Sequence, residues 1–313
     1  MYMNKNQVIF EEKLDIHKNE QNPATNLKTR DRIMAGSILK KLDIMPGIAR
    51  SPWEIVSLAR HQQRPVLQDY ISLICSEFIE LHGDRTFADD RALIGGFAKI
   101  DGIRVMLIGH NKGKNLNENI DRNFGMARPE GYRKALRLMK LAEMFDLPVV
   151  TLVDTSGAYP GMDAEERGQA EAIARNLFEM SRLAVPIVSV ICGEGGSGGA
   201  LGIAVADRVL MLENSIYSVI SPEGCAAILW RDSNFAPQAA EALKLTAPDL
   251  LDLGIIDEII PEPDGGAHCD YHKTAESLRK SVTSSLKRLM TMSKDELTTS
   301  RFMKLSNIGI FER

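Results

Sequence analysis

Apolar and polar residues recur along this chain with two periods, and the switches between them divide it into elements. Residues 93–100 and 103–109 are short apolar runs separated by Asp101-Gly102, which predicts two strands joined by a two-residue hairpin turn. Ser51-Pro52-Trp53-Glu54 carries a helix-start signature: a capping serine, proline at the first helical position and an acid at the third. Over 69–81, Tyr70, Ile71, Ile74, Phe78 and Leu81 fall at helical spacing and predict one amphipathic helix. Another helix is predicted over 129–145, where Arg133, Arg137 and Lys140 share a face and read as an exposed basic stripe. Then come a β-branched strand at 147–153, a helix at 164–183 and an apolar run at 185–192 that reads as a buried parallel strand. Short strands are expected at 208–212, 216–220 and 255–260. Helices are expected from Ser221-Pro222-Glu223 and at 237–245, 248–253 and 271–290. Residues 1–30 are polar and lack a period, and 31–42 predicts a short amphipathic helix.

Two glycine segments interrupt this pattern. Asp154-Thr155-Ser156-Gly157-Ala158-Tyr159-Pro160-Gly161 follows one strand; Gly193-Glu194-Gly195-Gly196-Ser197-Gly198-Gly199 follows the next and runs into a buried helix at 200–206. If the two strands are parallel, both segments lie at the carboxyl edge of the sheet, where α/β folds place ligands. A strand feeding a helix through glycines leaves backbone N–H groups without partners at the helix start, with the positive end of the dipole behind them. Such a site suits an oxyanion or a phosphate.

Composition removes several function classes. The 313 residues carry 38 basic and 42 acidic side chains, a net charge of −4, which argues against a general nucleic-acid binder. Lys112, Lys114 and Arg122 lie in a polar loop at 110–125, equally suited to phosphate contact and to a solvated surface. Cys75, Cys192, Cys225 and Cys269 contain no close pair, so neither a zinc ribbon nor a redox CxxC is expected, and Cys192 and Cys225 read as packing residues. No apolar run approaches the ~18 residues of a membrane span, which predicts a soluble, cytoplasmic chain.

Three motifs overlap at the second glycine segment. Gly193-x-Gly195-x-x-Gly198, with Glu213 downstream, matches a dinucleotide fingerprint. That fingerprint belongs to the first strand–helix turn of its domain, whereas several strands and helices come first here. Gly195-x-Ser197-x-Gly199 matches a nucleophile elbow, which needs a histidine and an acid further on. His268, His272, Asp257 and Asp264 supply candidates, in a polar segment. The third reading is an oxyanion hole of main-chain N–H groups with no side-chain nucleophile. A tight packing turn without chemistry is the plainest alternative.

Longer blocks favour the third reading. Arg128-Pro-Glu-Gly-Tyr-Arg-Lys-Ala-Leu-Arg-Leu-Met139, the Asp154–Gly161 segment followed by Ala164-Glu-Glu-Arg-Gly-Gln169, the Gly193–Leu201 segment, Tyr217-Ser-Val-Ile-Ser-Pro-Glu-Gly224 and Glu262-Pro-Asp-Gly-Gly-Ala-His268 occur in order over residues 60–270. Together they resemble the alpha-subunit family of bacterial acetyl-CoA carboxylase carboxyltransferases. The resemblance implies an α/β, crotonase-like (ClpP/crotonase) fold, a β-β-α superhelix with N- and C-terminal helical extensions. It divides the chain into an extension at 1–60, a carboxyltransferase core at 61–265 and a helical segment at 266–313. It also implies transfer of CO2 from carboxybiotin, carried on the biotin carboxyl carrier protein, to acetyl-CoA, giving malonyl-CoA for fatty-acid synthesis. The implied partners are a zinc-ribbon beta subunit in an α2β2 assembly, the carrier protein and biotin carboxylase, with no metal in this chain. Carried over by motif, Gly198 and Gly199 are the main-chain oxyanion donors, and Gly195, Gly196, Gly157, Ala158 and Tyr159 shape the substrate wall. A crotonase-type scaffold without chemistry is the non-enzyme alternative.

Overall fold

Eight strands form one sheet in a computed structural model of the protein, which describes residues 50–309. The first three, β1 (Cys75–Glu80), β2 (Leu93–Ile100) and β3 (Ile103–His110), pair antiparallel in sequence order. Beyond β3 the sheet continues in parallel through β4 (Val149–Thr155), β5 (Ile187–Gly196), β6 (Arg208–Leu212) and β8 (Glu258–Ile260). A short β7 (Ile216–Ser218) runs parallel to the end of β5. The expected hairpin joins β2 to β3, and Asp101 and Gly102 both take positive φ, 48° and 80°, as two-residue hairpin turns require.

Strand alternation sends side chains to two apolar layers. Met106, Ile108, Val149, Val153, Ile187 and Ile191 face α4 (Pro129–Met144), α6 (Gln169–Met180) and α7 (Ser197–Ala204), with α10 (Ala247–Asp252) at the edge. Their neighbours Leu107, Val150, Leu152, Val188 and Val190 face α2 (Leu67–Ile74), α11 (Tyr271–Leu289) and α12 (Lys294–Ser306). The parallel strands are therefore buried on both faces, which is why they read as continuous apolar runs. A third, smaller layer joins α1 (Pro52–Ala59) to Ile216 and α9 (Ala236–Ala242). From Arg50 onward these layers make one compact unit. Among the described residues no helix is long and apolar enough to cross a membrane.

Local signals and tertiary pairing disagree at three places. The helix expected over 69–81 stops at Ile74, and Cys75–Glu80 becomes the edge strand β1 because β2 offers it an antiparallel partner. The helix expected over 164–183 is two, α5 (Met162–Glu166) and α6, separated by Gly168 in the left-handed region at φ 83°. The glycine run after Cys192 is not a loop: Glu194–Gly196 pair with β7, so β5 passes straight into α7. The basic stripe on α4 is not free either. Arg133 binds Asp84 (2.7 Å), Arg137 donates to the Gly83 carbonyl (3.0 Å), and Lys140 pairs with Glu179 (2.9 Å). The helix expected over 31–42 lies outside the described residues. The start of α1 is as expected, with the Ser51 hydroxyl and Glu54 carboxylate forming a capping box.

α12 has its own capping box, Ser293 with Glu296, and is pinned by Arg301, which has no exposed surface. Its guanidinium pairs with both oxygens of Asp207 (2.8 and 2.7 Å) and donates to the carbonyls of Met180, Leu183 and Val185. Those carbonyls line the connection from α6 into β5.

The start of α4 is held by Asp90, which is buried and accepts from the N–H groups of Ala92 (2.9 Å) and Arg128 (2.7 Å). Burial outweighs those bonds and the Lys134 charge, and raises its pKa to about 6. Because the folded value exceeds the unfolded one, this carboxylate costs stability above about pH 6, and the cost disappears as the group protonates towards pH 4. A shift of that size corresponds to on the order of 3 kcal/mol. We therefore expect the Tm of the wild type, minus that of Asp90→Asn, to rise as pH falls from 7 to 4. A difference that stays constant over that range would show that Asp90 titrates as it does in water.

Candidate active site

The carboxyl ends of β4 and β5 lie side by side, and a register shift between Val153 and Thr155 sets their geometry. At the shift the Asp154 carboxylate turns onto β5, where it accepts from the Glu194 N–H at 2.9 Å. It occupies the space a side chain at 193 would need: a Cβ there would sit 2.5 Å from Asp154 Oδ1. Only glycine lets the two strands keep this spacing.

Past Asp154 the two glycine segments press together backbone to backbone. A Cβ on Gly196 would lie 2.1 Å from the Ser156 carbonyl oxygen, and one on Gly199 would lie 2.3 Å from the Gly157 carbonyl carbon and 2.4 Å from the Ala158 nitrogen. The remaining glycines behave differently. A Cβ on Gly198 would meet nothing nearer than Ile173 at 3.9 Å, and one on Gly157 would meet nothing within 4 Å. Two glycine faces are thus filled by the opposing backbone and two are open. No side chain caps α7, and N–H groups in a first helical turn have no partner within the helix. An open face and a first-turn N–H therefore coincide at Gly198, while Gly199 is buried against the Gly157–Ala158 peptide.

A charged cluster supports these strand ends from beside. Lys112 Nζ lies 2.7 Å from Asp154 Oδ1 and 3.1 Å from Glu194 Oε2. On its other oxygen Glu194 accepts from Arg60 Nε at 2.7 Å, and Arg60 pairs in turn with Glu223 on α8 (Pro222–Leu229) at 2.6 Å. Burial works against ionisation of Glu194, but Lys112 and Arg60 outweigh it and hold its pKa below the usual glutamate value. The same carboxylates keep Lys112 protonated, with a pKa above the ordinary lysine value in spite of burial. Lys112 is therefore neither a phosphate ligand in waiting nor a surface charge. Beside the cluster opens a cavity of about 720 Å3, lined among others by Arg60, Lys112, Asp154, Ser156 and Phe124.

Gly157, Ala158, Gly196 and Gly199, singled out from the sequence, meet at one turn-to-turn contact, and Gly198 lies between the last two with its own face open. Gly195 instead lies against the Tyr217 ring, where a Cβ would come within 2.7 Å. Tyr159 packs under the Arg128 guanidinium, 4.3 Å from its ring centre, and its N–H donates to the Ala127 carbonyl. Sequence reasoning missed Asp154, Glu194 and Arg60 as a cluster. Their only local trace is an acidic residue at each strand end.

Ser197 is exposed and takes φ 50°, so a sharp strand-to-helix elbow does exist. Of the two candidate histidines, His272 is exposed on α11 and His268 is engaged elsewhere. His268 stacks on His61 at 3.8 Å and its Nε2 lies 3.7 Å from Cys269 Sγ. Among the described residues no hydrogen bond links Ser197 to an imidazole, and no group of three or more His, Cys, Asp or Glu side chains is placed to hold a metal ion. The α7 helix of eight residues also leaves little room for a dinucleotide fold, and Glu213 is spent on the Glu262 N–H at 3.1 Å.

The family profile described as acetyl co-enzyme A carboxylase carboxyltransferase-like matches residues 7–309. The chain belongs to that family. The acetyl-coenzyme A carboxylase carboxyl transferase subunit alpha of Geobacter metallireducens is 58% identical over 275 residues, covering 87% of this chain and 86% of the relative. That of Methylococcus capsulatus is 54% identical over 288 residues, covering 92% and 87%. Solved carboxyltransferase structures share the crotonase-type fold at lower identity. The transcarboxylase 12S core superposes with a TM-score of 0.60 at 20% identity over 83% of this chain. The beta subunit of P. aeruginosa geranyl-CoA carboxylase does so with 0.58 at 16% identity over 85%. The chain spans about half the length of each of those two, 51% and 50%. In this carboxyltransferase-family chain the α/β architecture and the meeting of two glycine segments are thus seen directly.

The glycine faces give a direct stability test. Gly199→Ala drives a Cβ into the opposing peptide and should lower Tm by roughly 2–10 °C. Gly198→Ala adds a methyl to open space and should leave Tm within about 2 °C. Equal losses at both positions, measured by calorimetry, would mean the two segments are not in contact as described.

Proposed function

We propose that this chain is the alpha subunit of an acetyl-CoA carboxylase carboxyltransferase, active in carboxyl transfer from carboxybiotin on a carrier protein to acetyl-CoA. The observation that carries this reading is the start of α7, where N–H groups without partners sit behind a glycine face that is open at Gly198 and Gly157. A planar ring could lie against such a face, so the residues present fit the ureido ring of biotin. Bound there, carboxybiotin supplies the carboxyl group and a ring nitrogen able to take a proton from the acceptor. Gly198 and Gly199 present two N–H donors to the oxygen on which negative charge grows, and donors of this kind contribute ~3–4 kcal/mol each to the transition state. Gly157 and Ala158 keep that wall free of side chains larger than methyl, while Gly195, Gly196 and Tyr159 shape its surroundings. No side chain of this chain is required as nucleophile or base.

Carboxyl transfer also requires stabilisation of the acetyl thioester oxygen and closure against water. One glycine turn supplies one such site, so the second half belongs to a partner. The partner proposed is a zinc-ribbon beta subunit in an α2β2 assembly, working in the cytoplasm with the biotin carboxyl carrier protein and biotin carboxylase. Mixed with that beta chain, this protein should decarboxylate malonyl-CoA in the presence of biotin, the reverse half of the reaction; the isolated chain should not. Robust turnover by the isolated chain would overturn the division into half-sites. Gly198→Val, whose side chain has room, should fold with a near-normal Tm and lose about 100-fold or more in turnover.

The left-handed Ser197 keeps a nucleophile-elbow reading open to direct test. A fluorophosphonate probe should leave Ser197 unlabelled, and Ser197→Ala should retain most activity in the mixed complex. Stoichiometric labelling at Ser197 would replace the carboxyltransferase reading with hydrolysis.

A further inference from the structure

Thr155 ends β4 and has no exposed surface. Its hydroxyl donates to the Gly157 carbonyl at 2.7 Å and accepts from the Gly157 N–H at 3.2 Å. One oxygen atom thus clips both peptides that flank Gly157. Those two peptides are also the ones on which the second glycine segment rests. The Ser156–Gly157 peptide carries the carbonyl that fills the face of Gly196, and the Gly157–Ala158 peptide fills the face of Gly199. Thr155 itself pairs in register with Gly195 on β5, so the clip is anchored to the strand that leads into α7.

The peptides around Gly157 need holding. Nothing lies within 4 Å of where a Cβ on Gly157 would be, and its φ is not positive, so neither space nor backbone conformation calls for glycine there. The same holds at Gly198, which also lacks a positive φ and has Ile173 no nearer than 3.9 Å. Two glycines whose missing side chains the fold does not use leave a bare wall for a ligand. They also leave the backbone loose, and packing on that open side does nothing to stiffen it. An oxyanion site is effective only when its donors already point at the charge. Gly198 lies between Gly196 and Gly199, so the direction of its N–H follows from where those two are seated. Strand pairing does not call for a hydroxyl at 155. Valine has the same shape and suits a strand equally well, but it can neither donate to the Gly157 carbonyl nor accept from its N–H.

We propose that Thr155 is a positioning residue for carboxyl transfer: its hydroxyl locks the two peptides around Gly157, and these seat Gly196 and Gly199 so that the Gly198 N–H between them keeps a fixed direction. This rests on reading the start of α7 as the oxyanion site. Thr155 acts through the Gly157 peptides, from behind the wall they form, and not by contact with substrate.

The test uses the complex reconstituted with a beta chain, assayed by malonyl-CoA decarboxylation at a fixed biotin concentration. Thr155→Val keeps the shape and removes the hydroxyl. It should lower kcat about tenfold or more, with KM for malonyl-CoA within about twofold and Tm within a few degrees of wild type. Thr155→Ser keeps the hydroxyl and removes the methyl, and should retain most of the wild-type kcat. The two variants separate positioning from packing, because a packing role for Thr155 reverses their order. Wild-type kcat in Thr155→Val would overturn the proposal, as would a serine variant no more active than the valine one. Should Thr155→Val not fold, Thr155→Ala is compared with Thr155→Ser, since both lack the methyl and only serine keeps the hydroxyl. A kcat about tenfold lower in the alanine variant at matched Tm supports the role, and equal kcat overturns it. A wild-type complex with no decarboxylation would instead sink the parent reading before any variant is made, so the two failures are distinguishable.

Discussion

Two backbones approach to their steric limit where Gly199 meets the Gly157–Ala158 peptide and Gly196 meets Ser156, and the arrangement of β4 and β5 follows from that approach. Ordinary strands keep their chains apart by side chains; here glycine removes the spacer and the ends converge. The parallel direction of β4 and β5 puts both glycine segments at one edge, and the register shift at Asp154 brings them to one level. The open faces at Gly198 and Gly157 are what remains after the closed faces have been used for contact. Packing contact and open surface are thus divided between neighbouring glycines of the two segments.

Convergence of strand ends has an electrostatic cost, since it brings the carboxylates of Asp154 and Glu194 together beside a cavity. One lysine between them and one arginine behind supply the compensating charge. Removing a single member would leave a largely buried charge unmatched, which is far more damaging than losing a surface pair. The cluster also joins elements distant in sequence: Arg60 follows α1, Lys112 follows β3, and Glu223 begins α8. Its physical role is to hold the β5 end against its surroundings, and its charges satisfy one another instead of reaching for an anion.

Much of this was legible in the residues. The Asp101-Gly102 turn, the capped start of α1 and the apolar runs of β4 and β5 are local signals, and each formed as its pattern required. So did the pairing of the two glycine segments, which needs only that successive strands be parallel. What could not be read depends on partners far along the chain. Residues 75–80 carry a helical spacing, yet they pair with a strand about twenty residues on, and nothing local announces it. Lys112 looked like a loop charge because its partners lie 42 and 82 residues away. The break at Gly168 was different: its glycine was in plain view, inside a segment whose remaining residues favour helix.

Arg301 bears on how the molecule is made. The carbonyls of Met180, Leu183 and Val185 turn inward and rely on a guanidinium that the ribosome delivers more than a hundred residues later. Until then the α6–β5 connection and Asp207 carry polar groups that must stay hydrated, so the layer beneath them cannot close in its final form. Vectorial synthesis therefore cannot complete this unit segment by segment. Final closure waits for α12 to emerge, and once docked that helix shares the opening free energy of the sheet.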